Sequence, residues 1–397
     1  MNIKSLLLGS AAALIAVSGA RAADAVTVAE PEPAEYVKIC DVYGSGYFYI
    51  PGTETCLRIG GYVRYDIGVG DVGSFDGARS LDVRDGSDQG TWAKNARFTL
   101  KTWTGQETEL GTLKTYTETR INFGNSNGYG DSFTTGGQPI GNPAANKGIT
   151  LNFAWIQLGG LRVGKDESAF DTFIGYAGNV IQDTLVPYGG FDTNVVQYYF
   201  DAGNGFSAVV SLEEGSGAAG GPVFDGLGNY LYNAGSGNDT IDSYVPHVVG
   251  GLKYTQGWGA ITGVAAYDAA WDEWAGKIRL DVNATNELSL FVMAGYGSDD
   301  HIDRNFYKQW GGNWAVWGGG TYKFNEKTSF NLQASADDAK NVGVAANVAY
   351  DIVPGFTVTA EVDYLHDGKF GDLDDRNWTN ANKKNSVGGI LRFQRSF

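Results

Sequence analysis

After its first two dozen residues the chain has no run approaching the roughly 18–20 consecutive apolar residues that a membrane helix needs. Histidine is nearly absent, with three in 397 residues, and there are only two cysteines and 9 prolines. So few imidazoles and thiols exclude a zinc cluster. Basic residues are outnumbered, 29 against 45 acids. That balance excludes nucleic acid as a partner. What is abundant is glycine, 58 residues, and aromatics, 13 % of the chain. The mean hydropathy of -0.22 is that of an ordinary water-soluble protein.

The one strongly apolar segment is MNIKSLLLGSAAALIAVSGARA at the front. Lys4 precedes a short apolar core, and Ala20-Arg21-Ala22 form a small-x-small cleavage site, the pattern of a secretory signal peptide over residues 1–22. The core is too short for a membrane anchor. Its removal takes away Lys4 and Arg21 and no acid, leaving 27 basic against 45 acidic residues. In an exported chain the close pair Cys40 and Cys56 is expected to form a disulfide.

The stretch CLRIGGYVRYDIGVG, Cys56 to Gly70, separates into two sets when every second residue is taken. One holds Leu57, Ile59, Val63, Tyr65, Ile67 and Val69; the other holds Arg58, Tyr62, Arg64 and Asp66. A period of two places these sets on opposite faces of a strand. The pattern recurs to the end of the chain. Ile278, Leu280 and Val282 alternate with Lys277, Arg279 and Asp281; Val344, Ala346 and Val348 alternate with Ala345 and Asn347. No segment shows a sustained helical period. Sixteen strands are expected, at about 57–69, 93–104, 111–123, 149–158, 161–165, 194–201, 205–213, 244–254, 258–267, 275–284, 287–297, 314–324, 328–336, 341–352, 356–365 and 386–397.

The connections alternate in length. Gly159-Gly160, DAGNG, TQGW, ATNE, NEKT and VPG are short, whereas 124–148, 165–193, 214–243, 298–313 and 366–385 are long and polar. Most strands are long enough to cross a bilayer at a tilt, which takes roughly 9–11 residues. A strand protein spans lipid only as a closed barrel, because every backbone donor and acceptor must be paired. A sandwich or propeller would alternate as well. Three features favour the barrel: the two connection lengths, the aromatics beside short turns, and a last strand ending on Phe397. The aromatics Phe200 and Phe206, Tyr254 and Trp258, Phe324 and Phe330, and Tyr350 and Phe356 share the apolar parity, as an interfacial girdle requires. The expected fold is thus all-β: a 16-stranded antiparallel transmembrane barrel around a water-filled lumen, with short periplasmic turns and long extracellular loops.

The segment AEPEPAEYVKICDVYGSGYFYIPGTETCLRIGGYVRYDI (Ala29 to Ile67) resembles the N-terminus of the alphaproteobacterial (Rhizobiales-type) general outer-membrane porins. KYTQGWGAITGVAAYD (Lys253 to Asp268) and the closing VGGILRFQRSF are similar to that family too. The resemblance implies passive diffusion of small hydrophilic solutes across a Gram-negative outer membrane, in contact with its lipid and lipopolysaccharide. It also implies a homotrimer and a third long loop folded inward to narrow the pore. No cofactor is implied. Independently, the outward set of the third strand carries Thr115, Thr117 and Thr119, better suited to a subunit contact than to lipid. Residues 23–55 would form a periplasmic or pore-mouth segment, and 56–397 the barrel.

By parity the lumen face of the first strands carries Arg58, Arg64, Arg97, Lys101, Lys114 and Arg120, with Arg162 following in the fifth. The loop 165–193 supplies Asp166, Glu167, Asp171, Asp183 and Asp192. Its 29 residues exceed a bare connection. Phe170, Phe173, Ile174, Tyr176 and Val180 give it apolar anchors. Folded inward, its carboxylates would face the basic wall across the narrowest point and set a transverse field. The alternative is that these charges simply pair along the wall.

No spacing of His247, His301 and His366 favours a catalytic triad. GSDDHID and GDLDDRN do not fit a calcium loop, and Trp317-Gly318-Gly319-Gly320 reads as strand. Only 34 residues precede the first strand after the cleavage site, too few for a plug domain. The remaining alternative is a substrate-specific channel for a sugar or an anion. Tyr62, Tyr116 and Trp155 face inward by parity but form no evident track.

Overall fold

The computed structural model describes residues 38–72, 77–125, 144–217, 239–302, 304–369 and 384–397, and the backbone of short strand pieces in between. The signal-peptide residues 1–22 and the acidic piece GDLDDRN lie outside the described residues. Sixteen antiparallel strands form a closed barrel. They are β1 (Cys56–Gly70), β2 (Asp88–Thr108), β3 (Gly111–Gly124), β4 (Thr150–Leu158), β5 (Leu161–Glu167), β6 (Asp192–Asp201), β7 (Phe206–Glu213) and β8 (His247–Gln256). The other half is β9 (Gly259–Asp268), β10 (Glu273–Asn283), β11 (Leu288–Gly297), β12 (Trp314–Lys323), β13 (Thr328–Asp337), β14 (Val342–Val353), β15 (Phe356–His366) and β16 (Asn385–Ser396). Each pairs with its sequence neighbours, and β16 closes on β1 from Tyr62↔Ser396 to Gly70↔Gly388. With no edge left, the backbone groups at membrane depth are paired within the wall.

The seam at its lower end depends on one glycine. Gly61 exchanges two backbone hydrogen bonds with Phe397, of 3.1 and 3.0 Å. Its φ is +153°, and a Cβ there would sit 2.0 Å from the Thr99 carbonyl oxygen. Only glycine lets β1 lie between β2 and the chain terminus at this point.

The sidedness follows the period of two. Ile59, Val63, Val69, Ile121, Val210, Ile278 and Val292 are each two-fifths or more exposed, all on the outer surface. Their strand neighbours Arg64, Asp66, Arg97, Gln197 and Lys277 are buried inside. The aromatics Phe200, Tyr254, Trp258, Phe324 and Tyr350 stand exposed beside the short turns, as interfacial residues do. The two connection lengths are present, with two exceptions on the long side: 269–272 and 338–341 are only turns.

The barrel's packed core lies in the lumen, not between layers. A short helix α1 (Ala169–Thr172) opens the segment between β5 and β6, with Ser168 capping it by accepting from Phe170 N. Phe170, Phe173, Ile174, Val186 and Tyr188 of this segment pack with Met293 and Trp317 of the wall. Phe306, Tyr307 and Trp310, from the connection before β12, complete the cluster. That second connection turns inward as well, which sequence reasoning did not anticipate. His247, considered above for catalysis, is fully buried at the start of β8. Its Nδ1 accepts from Ala269 N at 2.9 Å, a structural role.

Cys40 and Cys56 form a disulfide with Cα atoms 6.0 Å apart. It fixes the segment before β1 to the short-turn end. There Gly46 lies 3.7 Å from the side chain of lumen-facing Arg58, by the position of an added Cβ, and Tyr43 covers Gly105. The Tyr43 hydroxyl donates to Glu107 at 2.9 Å. The described part of 23–55 therefore lies against the start of β1 and the end of β2.

Candidate pore constriction

Cross-strand register brings the basic residues of β1–β5 onto one inner wall. Arg64 pairs with Arg97, Thr99 with Arg120, and Lys101 with Glu118. Two cations directly opposite repel. The wall relieves this with acceptors of its own. Arg64 Nε lies 3.2 Å from Asp66, and Arg97 Nε donates to Asn122 at 2.9 Å. Glu118 sits between Lys101 at 3.1 Å and Arg120 at 2.7 Å. Arg162 donates to Gln157 at 2.9 and 2.8 Å and to Asp166 at 2.7 Å. Arg58 and the exposed Lys114 have no acidic partner within ion-pair distance among the described residues.

Strand β5 runs on through Glu167 and β6 begins at Asp192, so the connection is 168–191 rather than 165–193. Asp166 and Asp192 are therefore wall residues. Asp166 pairs with Arg162 and Asp192 with Lys165, the latter at 2.5 Å. Glu167, the last residue of β5, accepts from the Tyr176 hydroxyl. These three carboxylates lie on the basic side, as strand ends and not as loop groups reaching across.

Asp171 and Asp183 are the acids of the connection itself, and Asp171 does not face the basic wall as expected. Asp171 is fully buried and 2.5 Å from the Lys277 ammonium on β10. Burial pushes its carboxyl above the usual range, with Lys277 opposing. Asp183 accepts from the Tyr188 hydroxyl at 2.7 Å. Burial raises it as well, although part of the residue still meets lumen water. The reason for the discrepancy is packing. The apolar residues of the segment must be covered, and the wall from β7 to β15 offers both apolar surface and matching polar groups.

Those groups were missing from the sequence reading. Glu361 of β15 accepts the backbone N–H groups of Ile181 at 2.6 Å and Gln182 at 2.8 Å. Asn347 donates to Asn179 O at 3.1 Å, Gln333 to Asp183 O at 2.7 Å, and Trp317 Nε1 to Val186 O at 2.8 Å. Arg279 donates to Tyr176 O at 2.5 Å. Inward parity of Lys277, Arg279, Asn347 and Glu361 was legible; that they receive one long-range segment was not. The segment thus lies mainly along the inner wall from β7 to β15, with Tyr176 reaching Glu167 at the end of β5 and Gln182 donating to Val72 O, just past β1, at 3.4 Å.

Burial holds the Asp171 and Asp183 carboxyls above their ordinary value near 4, so the docked segment favours their protonated forms. An undocked segment would let both ionise at the ordinary value. Docking is therefore fully favoured below about pH 4, and that contribution fades as pH rises to about 7. The expected result is more frequent excursions to high conductance at pH 8 than at pH 5 in single-channel records. A pH-independent record would refute it.

A closed sixteen-stranded barrel, apolar outside and charged inside, with a packed segment narrowing its lumen, defines a diffusion channel of the bacterial outer membrane. The chain belongs to the porin subfamily, whose family model matches residues 24–390. It is 53% identical over 398 residues to porin Omp2b of Brucella suis biovar 1 (strain 1330) and of Brucella abortus (strain 2308), covering 100% of each chain. Among solved structures it is similar to a triple mutant of Rhodopseudomonas blastica porin, with a TM-score of 0.53 and 12% identity. That match covers 86% of this chain and 100% of the other. The protein is accordingly a general porin of the outer membrane.

Proposed function

We propose that solutes pass each barrel by diffusion between the basic wall of β1–β5 and the docked segment 168–191, with no catalytic step, and that this gap sets size and charge preference. The observation that carries this reading is the docking of the segment on the wall opposite, where its bonds among the described residues run to β10, β12, β13, β14 and β15. Arg97→Gln and Arg120→Gln, each removing one lumen cation, are expected to shift the anion-to-cation permeability ratio toward cations. The change is about twofold per charge acting through water. Reversal potentials in a salt gradient measure it. Unchanged potentials in both variants would overturn the assignment.

The same reading includes three copies packed through the outer face of β2 and β3, with the rest of the belt against lipid and lipopolysaccharide. In that outer face Thr102 and Thr117 hydroxyls lie 2.6 Å apart, as do Thr104 and Thr115. Elsewhere the belt presents apolar side chains. Native electrophoresis of the protein in mild detergent tests the contact, with a Thr117→Lys variant expected to run as monomer.

A further inference from the structure

Near the short-turn end the basic wall carries a second feature, joined to its ion pairs at Arg162, which pairs with Asp166, and at Tyr116, whose hydroxyl donates to Glu118 at 2.6 Å. Register places Arg58 opposite Trp103, Trp103 opposite Tyr116, and Tyr116 opposite Trp155. The side chains stack in that order. The Arg58 guanidinium lies over Trp103 at 4.7 Å, and Trp103 and Tyr116 are stacked with centroids 5.3 Å apart. Trp155 follows at 5.7 Å from Tyr116. The Arg162 guanidinium lies 4.0 Å over Trp155 and 5.0 Å over Tyr199. A continuous row of planes thus spans β1 to β6, half-buried throughout.

Sequence reading found no aromatic track because it paired Tyr116 and Trp155 only with Tyr62, and missed Trp103 and Tyr199. The chemistry of the row is specific. Arg58 and Tyr116 lie against Trp103 and Arg162 lies over Trp155, while Tyr116 and Trp155 meet at a 52° tilt. Aromatic edges carry the positive end of the ring quadrupole. Guanidinium is planar, weakly hydrated and matched to carboxylates. Arg58 has no carboxylate to neutralise it among the described residues, and exposed Lys114 stands two register pairs from Tyr116 and Trp155, on the same face, beside Gly105 and Gln157. Such a surface attracts an anion that sheds water easily and is flat.

We propose that this row is a low-affinity binding track for planar organic anions, an aromatic carboxylate being the simplest member. The proposal rests on the channel reading above. It is distinguished from it because potassium chloride conductance reports the open pore before any organic anion is added.

Sodium benzoate and sodium acetate are compared on the same single channels. Benzoate is expected to add concentration-dependent current noise, or brief blocks, that acetate does not. Trp103→Leu and Trp155→Leu are expected to weaken the benzoate effect about fivefold, the loss of one exposed cation–ring contact. Arg58→Gln should do the same, and since Arg58 makes no ion pair among the described residues, that variant keeps the test available if a tryptophan variant fails to insert. Lys323→Gln, at the exposed short-turn end of β12, should leave it unchanged. Equal noise from benzoate and acetate, or undiminished benzoate noise in the row variants, would overturn the proposal. So would loss of the benzoate effect in Lys323→Gln alone.

Discussion

Replacing Lys277 with methionine will raise single-channel conductance, because the constricting segment loses the charge that holds it down. The Lys277 ammonium is fully buried, 2.5 Å from Asp171 and 2.8 Å from the Tyr188 carbonyl oxygen. It also lies 4.1 Å over the Phe170 ring. Without it Asp171 either stays ionised in a buried site with no counter-ion or must take up a proton, and its second oxygen, Oδ2, has no hydrogen-bond partner among the described residues. Leaving one member of a buried pair costs roughly 3–5 kcal/mol. That is enough to move a docked segment to a mostly undocked population. The double variant Lys277→Met with Asp171→Asn removes both charges and should recover most of the narrow state. Wild-type conductance in the single variant would show that the bonds to Glu361, Trp317 and Gln333 hold the segment by themselves.

Asp66→Ala will lower the temperature at which the barrel unfolds. Asp66 stands opposite Arg392 in the register that joins the first strand to the last. Its carboxylate accepts from Arg392 at 2.7 and 3.3 Å and lies 3.2 Å from Arg64. One carboxylate therefore serves two arginines across the seam. Its loss leaves both partly buried and repelling, at a cost of about 3 kcal/mol, the low end for a broken pair because lumen water reaches both arginines. Thermal denaturation followed by heat-dependent electrophoretic mobility measures this. An unchanged transition would mean that the ladder alone secures closure.

The two variants separate two kinds of lumen charge. Asp66 and Arg392 oppose each other across adjacent strands, so their encounter follows from local register once the barrel closes. Lys277 and Asp171 are 106 positions apart and meet only because a connecting segment crosses the lumen. Both pairs face inward, yet one joins neighbouring strands of the wall and the other joins the wall to the segment proposed to set the width of the passage.

Strand number, sidedness and the closing strand could be read from side-chain alternation, since a period of two is a property of the extended backbone itself. The disulfide followed from two cysteines in an exported chain. The inward position of Arg58, Arg64, Arg97, Lys101, Arg120 and Arg162 followed from the same parity. What each would touch did not. Parity states a face, whereas contacts depend on register between strands and on where long connections settle. Asp166 and Asp192 were assigned to the loop because β5 and β6 extend past their apolar residues; lumen water lets a strand end in charged groups.

By itself the sequence determined a membrane-spanning barrel with a charged interior, because alternating polarity over strands of this length has no other solution in lipid. Only the tertiary structure decided that the segment 168–191 lies mainly on β7–β15, that it buries Asp171 against Lys277, and that Arg58, Trp103, Tyr116, Trp155 and Arg162 form one row on the basic wall. Those choices rest on pairings between residues far apart in the chain, and such pairings are set by packing in three dimensions, to which no local pattern gives access.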